Sequence, residues 1–257
     1  MASKFYVVWK GREPGIYTDW MSCKKQVDGF TGARYKSYPT RAEAEEAFKG
    51  SSSVVFAGKS SSGSKGTGAK KGGLKSYTAE EVNALKADTK IFTDGGCDPN
   101  PGNAGSGIAI YRDNVLDELW YGLYNPRGTN NTAELNALHQ AMLIAQKEIK
   151  KDSSVVIFCD SKYSIQCITQ WAAGWEKKGW KKSGGEIKNL ALIQTMYALY
   201  QEVKDEIKIH HVNGHVGIEG NELADRMSIL AIEKKDKRFH RYAGDMNIPY
   251  LLAMRTG

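Results

Sequence analysis

Four acidic residues of this 257-residue chain occupy apolar surroundings, where an isolated charge is costly. Asp94 and Asp160 each end a short apolar run, KIFTD and SVVIFCD, while Glu134 and Asp225 lie near the start of amphipathic segments beside alanine and leucine. Carboxylates seldom occupy such places unless they are paired or bind a metal. Mg²⁺ prefers carboxylate and phosphate oxygens, so the four positions indicate a divalent-cation site.

Each of these acids, taken alone, also has an ordinary structural explanation. Asp160 precedes SKYS and could cap the following helix, and Glu134 in a first helical turn is favoured by the helix dipole. The positions together are more specific, because residues at the carboxyl ends of buried strands meet at one edge of a sheet, where α/β folds bind ligands. We therefore expect Asp94 and Asp160 to lie at one rim of the sheet.

The elements that must hold these residues begin with three candidate strands, KIFTDGG, SGIAIYR and VLDELWYGLY. An amphipathic helix follows, with Leu135, Leu138, Met142 and Ala145 on one face. The run SVVIFCD is continuously apolar, as expected of a central buried strand. The later segments read as helix, helix, strand and helix: SKYSIQCITQW, IKNLALIQTMYALYQEV, EIKIHHV and NELADRMSILAIEKK. This order predicts a mixed sheet covered by helices on both faces.

A Gly/Ser/Lys-rich segment at residues 51–73 predicts a flexible linker, since glycine and serine leave the backbone free and lysine keeps it solvated. After it, Thr78 and Glu81 have the spacing of a capped short helix. Before it, three strands and two helices, the second capped by Thr40, predict a small α+β domain. The predicted divisions are a front domain at 1–50, a linker at 51–88, a body at 89–235 and a tail at 236–257.

The net charge of +7 is unevenly distributed along the chain. Residues 1–50 carry nine Lys/Arg against six Asp/Glu, residues 51–90 carry seven against three, and the remainder carries twenty of each. The basic excess therefore lies in the front third. A basic front end joined to a neutral body suggests that the front holds a polyanion on which the body acts.

The composition is that of an ordinary globular protein, with 41% hydrophobic and 25% charged residues. No apolar run approaches the roughly 18 residues needed to cross a bilayer, and the N-terminus lacks a signal-peptide layout. The four cysteines show neither CxxC spacing nor the density of a disulfide scaffold. We expect a reduced, cytoplasmic monomer.

Four strings around the acids carry a family resemblance: TDGGCDPNPGNAGSG, TNNTAEL, VIFCDSKYSI and HVNGHVGIEGNELAD. In this order and spacing the chain resembles ribonuclease H of the type I class over nearly all of residues 90–235. The resemblance implies a ribonuclease H-like five-stranded mixed sheet flanked by helices. It also implies hydrolysis of RNA paired with DNA, leaving 5′-phosphate and 3′-hydroxyl ends. By resemblance, two Mg²⁺ ions, or Mn²⁺ in their place, are held by Asp94, Glu134, Asp160 and Asp225; two ions about 4 Å apart can clamp one phosphate.

The same resemblance implies further roles. His215, in the glycine-flanked loop GHVGIEG, would move protons or aid product release, the alternative being a plain surface-loop histidine. The implied contacts to minor-groove base edges and 2′-hydroxyls are Asn100, Asn130 and Asn131, and those to a DNA-strand phosphate are Arg127, Thr129 and Asn189. Residues 174–185 match the family's basic protrusion, the alternative being a solvated loop anchored by tryptophans. Its candidate contacts are Trp175, Lys177, Lys178, Trp180, Lys181 and Lys182.

The front domain resembles the hybrid-binding domain found on many type I ribonucleases H, at FYVVWKGREPGIYTDW, CKKQVDGF and ARYKSYPT. The positions that match its duplex-binding residues are Tyr6, Trp20, Tyr35 and Lys36. The alternative for the aromatic residues is a purely structural place in the core. Ser37 stands where a second lysine often occurs, which would weaken binding.

Two departures from the family pattern lie beside the acids. Gly96 stands where many bacterial members have serine, and Asp98-Pro99 replaces a more neutral pair in the substrate loop, where an acid is unfavourable beside a polyanion. One rival hypothesis is a hybrid-binding protein with an inactive nuclease domain, against which the complete carboxylate set argues. Another is a transposase or integrase relative, which would lack GHxGxxGNExAD. In the tail, FHRY and IPYLLAM either pack on the body or bind a partner.

Overall fold

The computed structural model describes residues 5–28, 30, 33–50 and 74–257. The chain divides into two compact units, residues 1–69 and residues 70–257. The Gly/Ser/Lys-rich segment predicted as a linker at 51–73 lies outside the described residues. No helix among the described residues has both the length and the apolar character to span a membrane.

The N-terminal unit contains a three-stranded antiparallel sheet and two helices, as predicted. Its elements are β1 (Phe5–Lys10), β2 (Gly15–Tyr17), α1 (Trp20–Val27), β3 (Arg34–Tyr38) and α2 (Arg41–Gly50), with strand order β2-β1-β3. The Asp19 carboxylate caps α1 by accepting from the backbone N–H of Ser22 at 2.8 Å. The predicted cap of α2 is also present, since the Thr40 hydroxyl accepts from the Glu43 N–H at 3.3 Å.

The larger unit is built on a mixed sheet of seven strands. They are β4 (Ser76–Tyr77), β5 (Thr89–Cys97), β6 (Gly102–Arg112), β7 (Val115–Gly128), β8 (Val155–Cys159), β9 (Ile207–Val212) and β10 (His240–Arg241), in the order β10-β7-β6-β5-β8-β9-β4. β5 pairs antiparallel with β6 and parallel with β8. The five longer strands are the predicted ones, and the two-residue strands β4 and β10 extend the sheet at its edges.

Helices cover both faces of this sheet, as the order of the segments predicted. They are α3 (Ala79–Ala84), α4 (Asn130–Ile149), α5 (Lys162–Gln166), α6 (Ala172–Glu176), α7 (Leu190–Val203), α8 (Glu219–Lys234) and α9 (Ile248–Leu252). A π-helical turn, Cys167–Trp171, joins α5 to α6. The capping box predicted at Thr78 and Glu81 is present at the start of α3.

The core lies in two layers, one on each face of the sheet. Alternate residues of the central strands serve the two layers, because strand side chains point to opposite faces. Ile91 and Ile157 pack with α4 and α7, whereas Phe92 and Phe158 pack with α8. All four are almost fully buried, which explains why these runs lack the polar alternation of a half-exposed strand.

The body of the protein extends beyond the predicted boundaries at both ends. Within the predicted linker 51–88, β4 pairs with β9 and Val82 of α3 is buried against the sheet. At the other end, β10 pairs with β7 and Leu251 of α9 is fully buried. Of the two alternatives left open for the tail, packing on the body is the one the structure shows. Both extensions bury apolar side chains. Their strands and helices are too short to show a periodic apolar pattern, so the sequence did not predict this burial.

Candidate metal centre and active site

Four different elements bring the predicted acids into one pocket of 470 Å³, hereafter the four-carboxylate pocket. Asp94 comes from β5, Glu134 from α4, Asp160 from the residue after β8 and Asp225 from α8. β5 and β8 run parallel, so the carboxyl ends of these neighbouring strands meet at one rim, as predicted. The pocket thus collects acids that are up to 131 positions apart in the sequence.

Close backbone packing at Gly95 places Glu134 beside Asp94. A Cβ atom at position 95 would lie 2.2 Å from the backbone nitrogen of Glu134 and 2.4 Å from the carbonyl carbon of Ala133. Any side chain there would push α4 away from β5. The glycine after the strand aspartate is therefore part of the site's geometry.

The ordinary explanations for the two ambiguous acids do not apply in the structure. Ser161, and not Asp160, is the N-cap of α5, since its hydroxyl accepts from the Ser164 N–H at 3.3 Å. Glu134 lies beyond the first turn of α4 and is 7% exposed, so it is not a surface acid held by the helix dipole. Both side chains instead face the pocket.

Burial and mutual repulsion make these carboxylates hard to ionise. Desolvation raises the pKa of Asp94, Glu134 and Asp160 above the ordinary values for these side chains. Neighbouring acids raise the pKa of Asp94 and Glu134 further, since each faces another carboxylate at short range. The arrangement is therefore costly for the folded protein unless positive charge enters the pocket.

Hydrogen bonds from α8 orient two of the acids. Asn221 Nδ2 donates to Asp160 Oδ2 at 3.1 Å, and the Ser228 hydroxyl donates to Asp94 Oδ2 at 3.0 Å. Asn221, Asp225 and Ser228 have i, i+4, i+7 spacing and so share one face of the helix. That spacing in NELADRMS is the signal that would have identified Asn221 and Ser228 from the sequence.

A second positioning contact comes from β9. His211, near the end of β9, is buried, and its Nε2 lies 3.1 Å from the backbone oxygen of Asp160. The backbone of Asp160 is thus held from one side while Asn221 holds its carboxylate from the other.

The donor set suits a hard divalent cation. Glu134 Oε2 and Asp160 Oδ1 are buried and have no hydrogen-bond partner among the described residues. Buried polar atoms are rarely left in this state, so two orphaned carboxylate oxygens in one pocket fit a cation ligand site. Ligating atoms of Glu134, Cys159 and Asp160 lie within 4.8 Å of one another, although burial raises the pKa of the Cys159 thiol and sulfur is a poor donor for hard ions.

Asp225 differs from the other three acids because an arginine already contacts its carboxylate. Arg226 Nη1 donates to Asp225 Oδ2 at 2.8 Å and also to Glu222 Oε2 at 2.9 Å. The backbone N–H of Gly257 donates to Asp225 Oδ1 at 3.0 Å. Gly257 thus reaches the pocket from the far end of the tail, which no local sequence pattern indicates.

His215 lines the four-carboxylate pocket, at its rim. Its backbone is in the left-handed region, with φ 54°, and Gly217 follows at φ 81°. The neighbouring Gly214 packs on Asp160, where a Cβ atom would lie 2.8 Å from Oδ2. The predicted loop histidine is therefore placed where it can exchange protons with groups in the pocket.

The predicted hybrid contacts fall into two groups around the start of α4. Asn130 lines the pocket, and its backbone N–H donates to Asn100 Oδ1 at 3.3 Å. Thr129 caps α4 through Thr132, whose hydroxyl donates in turn to Asn189 Oδ1 at 3.0 Å. The predicted phosphate-binding residues Thr129 and Asn189 are thus linked through one threonine. The remaining predicted contacts, Asn131 and Arg127, are exposed.

In the basic segment 174–185, the tryptophans and the lysines face opposite ways. Trp175 and Trp180 pack against the core, with Trp180 6.1 Å from the Tyr197 ring. The lysines are exposed to solvent: Lys177, Lys178, Lys181 and Lys182. The tryptophans therefore anchor the segment, and the lysines form its outer surface.

The N-terminal unit presents an aromatic cluster on its surface. The Trp20 ring lies 5.5 Å from that of Tyr6 and 5.8 Å from that of Tyr35. Trp20 and Tyr35 are 41% and 46% exposed, so neither is a core residue. Lys36 follows directly and is exposed too. The four predicted positions include two flat apolar rings open to a ligand.

Comparison with known proteins is consistent across both units. A sequence profile described as RNase H matches residues 86–233, and one described as the Ribonuclease H1 N-terminal domain matches residues 4–48. Ribonuclease H1 of Mus musculus is 30% identical over 258 residues, covering 87% of each chain. Ribonuclease H of Acidovorax sp. (strain JS42) is 37% identical over 145 residues, covering 56% of this chain and 94% of that protein.

Solved structures show the same fold. A foamy viral protease-reverse transcriptase in complex with RNA/DNA hybrid has a TM-score of 0.51 at 17% identity, over 66% of this chain and 22% of that one. The foamy viral protein in complex with dsDNA has a TM-score of 0.50 at 19% identity, over 58% and 96% of the two chains. At this level of identity the likeness concerns the fold alone.

Proposed function

The chain belongs to the ribonuclease H family, and from that membership we propose that it hydrolyses the RNA strand of RNA–DNA hybrids at the four-carboxylate pocket. The observation that carries the proposal is the convergence of Asp94, Glu134, Asp160 and Asp225 from four elements into one pocket. The similar proteins are named Ribonuclease H and Ribonuclease H1, which supports the hybrid as the substrate. The buried acids support metal-dependent hydrolysis.

The four acids would hold two divalent ions, with Mg²⁺ preferred and Mn²⁺ as a substitute, because their oxygens are hard donors. When bound, such ions supply Lewis-acid activation of the attacking water and stabilisation of the leaving oxygen. The expected products carry 5′-phosphate and 3′-hydroxyl ends. Since protons compete for Asp94, Glu134 and Asp160, metal affinity should fall as the pH falls.

The protein's own side chains would orient the substrate and move protons. Ser228 and Asn221 keep the Asp94 and Asp160 carboxylates directed into the pocket. His215, at the rim, would transfer a proton at the cleaved phosphate. Asn130, which lines the pocket, would contact the minor groove, where the 2′-hydroxyl distinguishes RNA from DNA.

Binding surfaces outside the pocket would hold the rest of the duplex. The exposed lysines of segment 174–185 suit the phosphates of the DNA strand. In the N-terminal unit, Trp20 and Tyr35 offer flat faces to deoxyriboses beside Lys36. Covalent linkage of the two units raises the local concentration of substrate, so the N-terminal unit should increase affinity more than turnover.

The proposal is tested with labelled RNA–DNA hybrid, duplex DNA and duplex RNA, each incubated with Mg²⁺ or EDTA. We expect cleavage of the hybrid's RNA strand alone, abolished by EDTA, with 5′-phosphate and 3′-hydroxyl ends identified by end-labelling. Binding of the hybrid without any cleavage would instead identify a hybrid-binding protein with an inactive nuclease domain.

Asp94→Asn provides the matched test of the metal site. It should abolish cleavage and remove Mn²⁺ binding measured by calorimetry. Asp113→Asn is the control, because Asp113 is exposed in the β6–β7 turn, at the end of β6 that is farther from the pocket. Asparagine tolerates the φ of 50° at this position. Equal activity of both variants would contradict the assignment.

A further inference from the structure

The C-terminal segment 253–257 brings a cation to the mouth of the four-carboxylate pocket. Arg255, Thr256 and Gly257 line the pocket together with the acids. Among the described residues that line it, Arg255 is the one lysine or arginine. The RNase H profile ends at residue 233, so this arginine lies outside the matched region.

Contacts on both sides of Arg255 hold its backbone in place. Before it, Leu251 is fully buried and the Leu252 carbonyl accepts from Arg226 Nη2 at 3.3 Å. After it, the Gly257 N–H donates to Asp225 Oδ1 at 3.0 Å. The segment is therefore anchored on α8 before and after the arginine, which holds the Arg255 backbone beside the pocket.

The Arg255 guanidinium lies between two acids at the mouth of the pocket. Its Nη2 is 3.0 Å from Asp98 Oδ2 and its Nη1 is 3.8 Å from Glu233 Oε1. Asp98 also lines the pocket, in the loop that carries the predicted substrate contact Asn100. Without the arginine, both carboxylates would repel an approaching phosphate backbone.

We propose that Arg255 is a substrate-binding residue: its charge offsets that of Asp98 at the mouth of the pocket, and its guanidinium contacts the phosphate backbone of the hybrid. The inference rests on the proposed function. Arg255 and Asp98 are both exposed, and such ion pairs are weak, so the guanidinium can exchange a carboxylate for a phosphate oxygen. A guanidinium fork matches phosphate as well as it matches carboxylate.

The test is a charge cycle in the full chain, with KM and kcat measured on labelled hybrid. Arg255→Gln should raise KM by about threefold or more and leave kcat nearly unchanged, because the acids of the metal site are intact. Asp98→Asn should lower KM, and adding it to Arg255→Gln should lower the raised KM toward the wild-type value, since the double variant restores the wild-type local charge but lacks the guanidinium. The effect of Arg255→Gln should shrink at high salt.

Lys204→Gln is the control for loss of a surface cation. Lys204 is exposed and lies between the end of α7 and the start of β9. The start of β9 is at the opposite end of the strands from the pocket. The KM of Lys204→Gln should equal that of the wild type.

A lower KM for Arg255→Gln would mean that the segment obstructs the pocket, and would overturn the inference. A raised KM that Asp98→Asn does not lower at all, or that salt does not diminish, would mean a structural role and would overturn it too. If the wild type fails to cleave hybrid, the proposed function fails; the order of variant affinities, measured by fluorescence anisotropy with hybrid in EDTA, then still tests Arg255.

Discussion

The Ser228 hydroxyl donates to Asp94 Oδ2 at 3.0 Å, joining α8 to the central strand β5 across 134 residues of chain. The same hydroxyl oxygen lies 2.8 Å from the backbone oxygen of Asp225. One small side chain thus contacts two of the four acidic residues. Its hydrogen bond lowers the pKa of Asp94, against the larger effects of burial and of Asp160 and Asp225, which raise it.

Ser228→Ala should move the acidic limb of the pH–rate profile to higher pH. Loss of the hydroxyl removes a bond that favours ionised Asp94, so the pKa of this acid rises further. A shift of about half to one pH unit is expected for one hydrogen bond to a carboxylate. Ser154→Ala, which removes a hydroxyl bond to the distant and exposed Asp88, should leave the profile unchanged. An unmoved limb in Ser228→Ala would contradict the role of Ser228.

The metal-free protein should lose stability as pH rises. Asp94, Glu134 and Asp160 have raised pKa values when folded, so their contribution is present below the unfolded value of about 4 and is lost as pH rises through the folded values. We expect Tm in EDTA to fall between about pH 5 and pH 8, and Mg²⁺ to raise Tm more at the higher pH.

Asp94→Asn should reduce that dependence on pH. The neutral amide removes one buried charge, and in EDTA near pH 8 the free energy of unfolding should rise by about 1 kcal/mol or more. Calorimetric unfolding of both proteins across the pH range measures this. A variant less stable than the wild type at high pH in EDTA would show that the acids do not strain the fold.

Gly95→Ala should disrupt the site through the backbone. Its Cβ atom would lie 2.2 Å from the Glu134 nitrogen, so α4 must shift. We expect a loss of about 2 kcal/mol or more in the free energy of unfolding and a large loss of kcat. Gly174→Ala is the matched control: apart from its own helix backbone and chain neighbours, no described residue comes within 4 Å of the added Cβ, so stability should be equal or slightly higher.

His215→Asn should slow the reaction without weakening metal binding. Asparagine tolerates the left-handed backbone at this position, so the loop should keep its shape. Loss of a proton-transfer group is expected to lower kcat by about tenfold or more. Mn²⁺ affinity by calorimetry should be unchanged, and an undiminished kcat would indicate a plain surface histidine.

Trp20→Ala should weaken hybrid binding and leave the fold intact. The ring is 41% exposed, so the substitution removes little core packing. It would remove a stacked contact between the ring and the duplex. An increase of about fivefold or more in the Kd for hybrid is expected by fluorescence anisotropy. Met21→Ala removes a neighbouring side chain that is 68% exposed and should have no effect. Equal affinities would mean that the aromatic cluster does not bind the duplex.

Much of this architecture could be predicted because local patterns specify it. The continuous apolar runs ending in Asp94 and Asp160 predicted the buried central strands, and both are buried on two faces. The caps at Thr40 and Thr78 follow from side chains that bond the nearest backbone N–H groups. Interactions between residues at most four positions apart can be predicted from the sequence, because both partners lie in one short segment.

The Asp98 departure shows what such patterns miss. From its neighbours alone, Asp98 is an acid unfavourably placed in a substrate loop. The structure pairs it with Arg255, 157 residues away, in the tail for which packing on the body or binding a partner were the predicted alternatives. The glycine at position 96 is likewise explained by a distant residue. A Cβ atom there would lie 2.9 Å from Ser228 Oγ.

By itself, the sequence determined the five longer strands of the sheet, the long helices, the family and the identity of the four acids, because each depends on a short string of residues. Tertiary structure alone decided that Asn221 and Ser228 orient those acids, that Gly95 admits α4, and that Gly257 and Arg255 reach the pocket. These features depend on distances between elements far apart in the chain. Packing of the whole sheet and its helices sets those distances, and no local pattern records them.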